Sequence, residues 1–286
     1  MKNIAFILLI LLLPFITAQS QLSCFAMDPP FKEGASAAEE CPDDCTLAEL
    51  EQFAKKIANL FPPDEYLYIG IGRSPAPVIA WLQAKGQRAD TIQIPLSNFK
   101  LCQRVYGNGI SFPEFPSDYS RVKLFRHFDR YLRTNPGFQK KWLVIDVAES
   151  GNTLRSAGFA LKEYAHERGL DNSIEMLAIC ENNQKREYYL EMGMHVAMAQ
   201  YKPNAEYCVT ALEYFLIFGS GKRFAPYGEL NWADLLSAPH TPPVEPPRTS
   251  YNTLSKLIKE WAKSIVLSVF WTIALTSTSK FNPSAR

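Results

Sequence analysis

Neither sign of charge dominates this chain. Lys and Arg together number 30 and Asp and Glu 29 among 286 residues, a formal net charge of +1. A general binder of nucleic acid polymers needs a basic excess to pair with phosphates, so that class is excluded, although a small basic site is not. Histidine is scarce: His127, His166, His195 and His240 are the only four. They are too scattered for a zinc site, which usually needs two close ligand pairs, and they read as ordinary surface or core residues. There is no internal repeat, no nucleophile elbow, no Walker loop and no His-Glu-x-x-His motif. What is present is a globular composition, 47% apolar and 21% charged. That excludes a disordered chain, a collagen-like chain and a tiny disulfide scaffold.

Long apolar runs are confined to the two ends. Lys2 precedes an apolar stretch over residues 4–16, and Ala18-Gln19-Ser20 follows with small residues. This is the layout of a secretory signal peptide, read here as residues 1–20. Cleavage near Gln19 or Gln21 would remove Lys2 and bring the net charge to zero. The chain is then expected to be secreted or periplasmic. The alternative is an uncleaved segment that anchors the domain at a membrane. The second run, 265–275, is short for a span. It follows Lys256, Lys259, Glu260 and Lys263 and reads as a docking helix that buries Ile265, Val269 and Trp271. Membrane contact through 265–275 is its alternative. Export implies an oxidising compartment, so at least one disulfide is expected among Cys24, Cys41, Cys45, Cys102, Cys180 and Cys208. Spacing does not choose the pairing.

Between the ends, strand and helix signals alternate. Residues 21–45 read as a linker, 46–225 as one domain, and 226–286 as a Pro-rich linker and a C-terminal helix. Thr46-Leu-Ala-Glu49 is a capping-box pattern opening a helix with Leu47, Leu50, Phe53, Ala54, Ile57 and Leu60 at helical spacing. Strands are predicted over 66–71, 91–94, 142–147 and 174–179, the first being nearly all apolar as a buried strand should be. Helices are predicted from Ser74 to Lys85, from Ser117 with a buried stripe of Val122, Phe125, Phe128 and Leu132, and from Thr153 to Arg168. This order predicts an α/β fold, a mostly parallel sheet flanked by helices.

One segment carries the chemistry: Leu143-Val-Ile-Asp-Val-Ala-Glu-Ser-Gly-Asn-Thr-Leu154. A buried strand ends in Asp146, and a small-residue loop opens a helix. Unpaired N–H groups and the dipole at a helix N-terminus favour an anion. Gly151 is expected to let backbone approach the anion closely. Ser150 and Thr153 add hydroxyls, so Ser150-Gly151-Asn152-Thr153 reads as a phosphate cradle. In a parallel sheet, ligands sit beyond the carboxyl ends of the strands, where this loop falls.

The segment resembles the phosphoribosyl-pyrophosphate signature of the type I phosphoribosyltransferases. In that signature an apolar strand leads into two acidic residues, a spacer, Thr or Ser, Gly, any residue and Thr. Asp146 matches the second acidic residue, and Ser150 to Thr153 match the loop. Glu149 falls where the purine-salvage members carry an Asp. The first acidic position is Ile145, a departure. Upstream, Tyr68-Ile-Gly70-Ile-Gly72-Arg73-Ser74 resembles the family's pyrophosphate-binding loop. Pro95-Leu-Ser-Asn-Phe-Lys100 sits where such enzymes leave their second strand. The stretch Gln103 to Tyr119, with Gly107 and Gly109, sits where many members have a mobile loop. The resemblance spans roughly residues 47–200.

What the resemblance implies is a phosphorylated ribose, either the pyrophosphate-activated sugar or a nucleotide, as the small-molecule partner. Gly72, Arg73, Ser74 and Ser150 to Thr153 would bind it. Asp146 would hold ribose hydroxyls or magnesium, the implied cofactor brought by the pyrophosphate. Glu149 would act as a base in a transfer to or from a nitrogenous base. Two alternatives stand beside it. One is a non-catalytic exported binding module that keeps the cradle without the acidic pair. The other is a sugar isomerase (SIS) domain, whose phosphate loop carries an extra Ser where this chain has Ala148 and gives Asp146 no role.

Overall fold

The computed structural model describes residues 44–85, 90–105, 111–180, 183–199, 226–227, 230–237, 252, 254–261 and 263. Helix α1, Asp44–Leu60, precedes strand β1, Tyr66–Ile71, helix α2, Ala76–Lys85, and strand β2, Thr91–Ile94. A hairpin of β3, Cys102–Val105, and β4, Ser111–Glu114, comes next. Helix α3, Asp118–Leu132, leads through a 3-10 turn at Pro136–Gln139 to β5, Lys141–Val147. Then follow α4, Asn152–Glu167, β6, Ile174–Cys180, α5, Asn183–Glu191, β7, His195–Met198, and α6, Trp232–Ser237. Residues 254–261 are also helical.

Five strands form one sheet in the order β2-β1-β5-β6-β7. Every pairing in it is parallel. The α/β class and the parallel sheet are as the alternation predicts. All six residues of β1 are buried, as a strand covered on both faces requires. The alternation of side chains separates two cores. Leu67, Ile69, Trp142 and Val144 face a cluster with Phe125, Phe128, Leu161 and Tyr164 of α3 and α4. Tyr68, Leu143, Ile145 and Ile179 face a second cluster with Leu50, Phe53 and Ile57 of α1, Val78 and Leu82 of α2, and Leu254 and Ile258. Gly70 makes that second face fit, because a Cβ there would lie 2.8 Å from Ile79 Cγ1.

Local expectations met the structure with some differences. Helix α3 has Ser117 as its N-cap, accepting from the Ser120 N–H, as predicted. Its buried stripe is Leu124, Phe125, His127, Phe128 and Leu132, whereas Val122 is 41% exposed. At 100° per residue Val122 lies well over a quarter-turn from the centre of that stripe. Helix α1 is already formed at Asp44. Thr46 therefore sits within its first turn. The stretch Gln103 to Tyr119, which sits where many members of the resembled family have a mobile loop, contains most of the exposed antiparallel hairpin and the start of α3.

The expected disulfide is not seen among the described side chains. Cys102 is an exposed thiol and Cys180 a buried one. The side chains of Cys24, Cys41, Cys45 and Cys208 lie outside them, as do the runs 4–16 and 265–275. No helix among the described residues is long and apolar enough to cross a membrane. Tyr227, Trp232 and Leu235, all beyond residue 225, are buried.

Candidate functional site

The chain leaves β1 toward β2 on one side and β5 toward β6 on the other. The two connections diverge, and a crevice opens beyond the carboxyl ends of β1 and β5. Such a point of reversed strand order is where open α/β sheets bind ligands. A cleft of about 280 Å³ lies there, the small end of the range for ligand sites. Three loops line it.

The first loop follows β1. Gly72 has φ +68°, and a Cβ there would meet the Leu96 carbonyl at 3.1 Å. This is a position for glycine on both counts. Its N–H donates to the Ile94 carbonyl at 3.0 Å, which ties the turn to β2. Arg73 and Ser74, both half-buried, then reach the cleft.

The second loop, Leu96-Ser97-Asn98, follows β2. His127 Nε2–H donates to the Pro95 carbonyl at 2.8 Å. The Ser97 N–H donates to the Leu230 carbonyl at 2.8 Å, and the Trp232 N–H to the Ser97 carbonyl at 3.1 Å. Asn98 has φ +54°, a backbone state that Asn tolerates better than most residues. Its amide donates to Asn231 Oδ1 at 2.9 Å. Burial, opposed in part by the bond to Pro95 and aided by nearby Arg130, lowers the His127 pKa to about 4. The native protein then refuses a proton that the unfolded chain takes up between about pH 6.5 and 4. Stability is present above that window and falls as pH drops through it, by roughly 3 kcal/mol. Denaturant titrations across this window should show the stability of the wild type relative to His127→Gln rising with pH. An unchanged slope would assign the acid sensitivity to other groups.

The third loop follows β5. Asp146 is buried and stands on the face of the strand opposite Ile145. Burial pushes its pKa up to about 8, against a hydrogen bond from the Val147 N–H. The Ala148 N–H donates to the Ile179 carbonyl at 2.9 Å. Tyr189 on α5 donates its hydroxyl to the carbonyls of Ala148 and Glu149, each at 2.9 Å. Lys185 Nζ donates to the Glu149 carbonyl at 2.9 Å. Gly151 is the N-cap of α4, at φ +71°, with no side-chain cap bond. Ser150 Oγ receives only a long bond, 3.4 Å, from the Asn152 N–H. The first turn of α4 thus keeps donors for something else.

Gly72, Arg73, Ser74, Asp146, Glu149, Ser150, Gly151 and Thr153, separated by up to 81 positions, line one cleft. Asn152 starts α4 and does not line it. The reason expected for Gly151 needs correction. A Cβ there would meet Tyr189 Cε1 at 3.0 Å and Met192 Sδ at 3.4 Å. The glycine is required by its backbone state and by packing on α5, whatever approaches from the cleft. Loop 96–98 was visible in sequence only as the exit of a strand. Tyr189 and Tyr227 were not visible as contributors at all.

The donor set can be tested against magnesium. Asp146 is the one buried carboxylate in the cleft, and among the described residues no three His, Cys, Asp or Glu side chains cluster. Those residues suit a cation carried mainly by a ligand's phosphates, with Asp146 as a protein contact, and do not form a resident cage.

No protein-family model and no curated protein sequence matches the chain. Among solved structures it is similar to a hypoxanthine phosphoribosyltransferase from Staphylococcus aureus, at 14% identity over 53% of this chain and 73% of that one, with a TM-score of 0.26.

Proposed function

We propose that the cleft between β1 and β5 binds a phosphorylated ribose and that the protein is phosphoribosyltransferase-like. The observation that carries this is the meeting of two sequence segments, Gly72-Arg73-Ser74 and Asp146 to Thr153, at the reversal of strand order. In this reading amide groups of the third loop and the first turn of α4 hold one phosphate. Arg73 and the turn after β1 hold a second phosphate group through charge-assisted bonds. Asp146 holds ribose hydroxyls. In transfer, the bond from the anomeric carbon to pyrophosphate breaks, with the electron pair leaving on pyrophosphate, and a bond to a base nitrogen forms. Glu149, exposed at the rim, takes the proton from that nitrogen. Magnesium bound with the pyrophosphate would neutralise charge on the leaving group.

A second reading, binding without turnover, draws on Ile145. Its side chain is fully buried in the core shared with α1 and α2, so the first acidic position of the signature contributes nothing to the cleft. Calorimetric titration with ribose 5-phosphate and its pyrophosphorylated form, with and without magnesium, and an assay for released pyrophosphate tests both. Saturable binding with turnover supports transfer, and binding alone supports the module. No binding, or tighter binding of a hexose phosphate, overturns the phosphoribose reading. In either reading the signal peptide, export and the domain limits at 21–45, 46–225 and 226–286 remain part of the proposal.

A further inference from the structure

Two tyrosines that do not line the cleft hold the two loops that carry its anion donors. Tyr189 is fully buried on α5, behind the third loop, where its ring fills the space under Gly151. Its hydroxyl takes two successive carbonyls, those of Ala148 and Glu149. Lys185 from the same helix takes the Glu149 carbonyl as well. Tyr227 is buried and donates its hydroxyl to the Gly72 carbonyl across 155 residues of sequence. Neither tyrosine is among the residues around the cleft. Burial raises the Tyr227 pKa well above its ordinary value, with added effects of nearby Tyr131 and Asp146, so the phenol stays a donor.

In a trans peptide the carbonyl and the following N–H point in opposite directions. A carbonyl held from behind a loop therefore sends the next N–H out of its front. For Ala148, Glu149 and Gly72 those are the N–H groups of Glu149, Ser150 and Arg73. We infer that Tyr189 and Tyr227 are positioning residues of the phosphate site, each fixing one loop so that the Glu149 and Ser150 N–H groups face one bound phosphate group and the Arg73 N–H faces the second. The inference rests on the phosphate binding proposed above and adds what sets its geometry. Donors held in this way are aimed before the anion arrives, which lowers the ordering cost of binding.

The test uses Tyr189→Phe and Tyr227→Phe, which delete a hydroxyl and keep each ring. Calorimetry with pyrophosphorylated ribose 5-phosphate, which has a phosphate group for each loop, is paired with amide spectra of the full chain and with thermal unfolding. In the wild type, saturation should move the amide protons of Glu149, Ser150 and Arg73 downfield. Tyr189→Phe should weaken binding roughly tenfold and shrink the Glu149 and Ser150 shifts while leaving that of Arg73. Tyr227→Phe should do the converse. A residue that merely stabilises the fold would not produce this crossed pattern. Folded variants with unchanged affinity and unchanged shifts overturn the inference. Should either tyrosine variant fail to fold, Lys185→Met, at the surface, probes the Glu149 carbonyl alone. It should weaken binding about threefold, and no change would count against the clamp. Inorganic phosphate separates this idea from its premise. If phosphate moves these amides in the crossed pattern and pyrophosphorylated ribose 5-phosphate does not bind, the ribose reading fails and the clamp stands. If neither probe moves them, the clamp fails.

Discussion

The Asp146→Asn variant should match the wild type in stability near pH 4 and exceed it by several kcal/mol above about pH 8. The wild-type carboxyl is buried at the end of β5, and its pKa is pushed up to about 8 by burial, against the bond from the Val147 N–H. The unfolded chain releases this proton near pH 4, while the native protein keeps it until about pH 8. Between those limits the native state binds more protons at this site than the unfolded state, so the contribution of Asp146 to stability falls as pH rises, opposite in sign to that of His127 below about pH 6.5. The loss levels off once the native carboxyl also ionises. Four units at roughly 1.4 kcal/mol each set an upper bound on the order of 5 kcal/mol. An amide at this position has no proton to lose, so this contribution to the slope should vanish. Urea unfolding at several pH values reads it directly. Equal slopes for the two proteins would mean that water or a cation already relieves the buried charge. If the proposed phosphoribose site is right, the same variant should also lose affinity above about pH 8, where the wild-type carboxyl is ionised and a charge-assisted contact contributes roughly 1.5–3 kcal/mol.

The second large effect is expected at Gly151. Valine there must adopt a left-handed backbone at φ +71°, which costs a β-branched residue about 1–3 kcal/mol. Its Cβ would also press on Tyr189 at 3.0 and 3.2 Å. The ring is fully buried and has little room to give, so its two hydroxyl bonds to the loop are strained or lost. Together these should cost Gly151→Val about 3 kcal/mol or more, and Gly151→Ala less. Chemical denaturation of both variants without any ligand checks this. If Gly151→Val is as stable as the wild type, packing on α5 is not what fixes glycine here. The same argument bears on binding experiments: lost affinity in Gly151→Val would not by itself locate the phosphate, whereas the tyrosine variants leave position 151 untouched.

The legible parts of this fold are those where burial and periodicity agree. Tyr66 to Ile71 and Trp142 to Val147 are nearly all apolar, and their neighbours in the sheet follow from alternation with helices. The place of the two glycine loops was legible too, since glycine, serine and threonine after a strand mark the turn into a helix. The hairpin was not, because the residues of β3 are all exposed and carry no apolar alternation to announce a strand. Strand β7 is four residues long and only partly buried, too short for a periodicity to show. The site was half legible. Its two glycine loops are local signals, but Tyr189 and Tyr227 act on carbonyls 41 and 155 positions away, and nothing in a tyrosine's immediate neighbours announces a distant acceptor. The phase of α3 was misread by one residue type only. Val122 is apolar, and exposed apolar residues are common enough that a single one does not mark a face.

Strand β5 divides its last residues between two worlds: Asp146 looks into the cleft side, and Ile145 is sealed into the opposite core among Tyr68, Leu143 and Ile179. Position 145 is therefore closed to charge. An Ile145→Asp substitution would set a second carboxylate inside a fully buried apolar cluster, beside a group already reluctant to ionise. It could ionise only if α1 and α2 were repacked at the same time. In the proposed transfer the acid chemistry thus falls to Asp146 at the strand end and Glu149 at the rim.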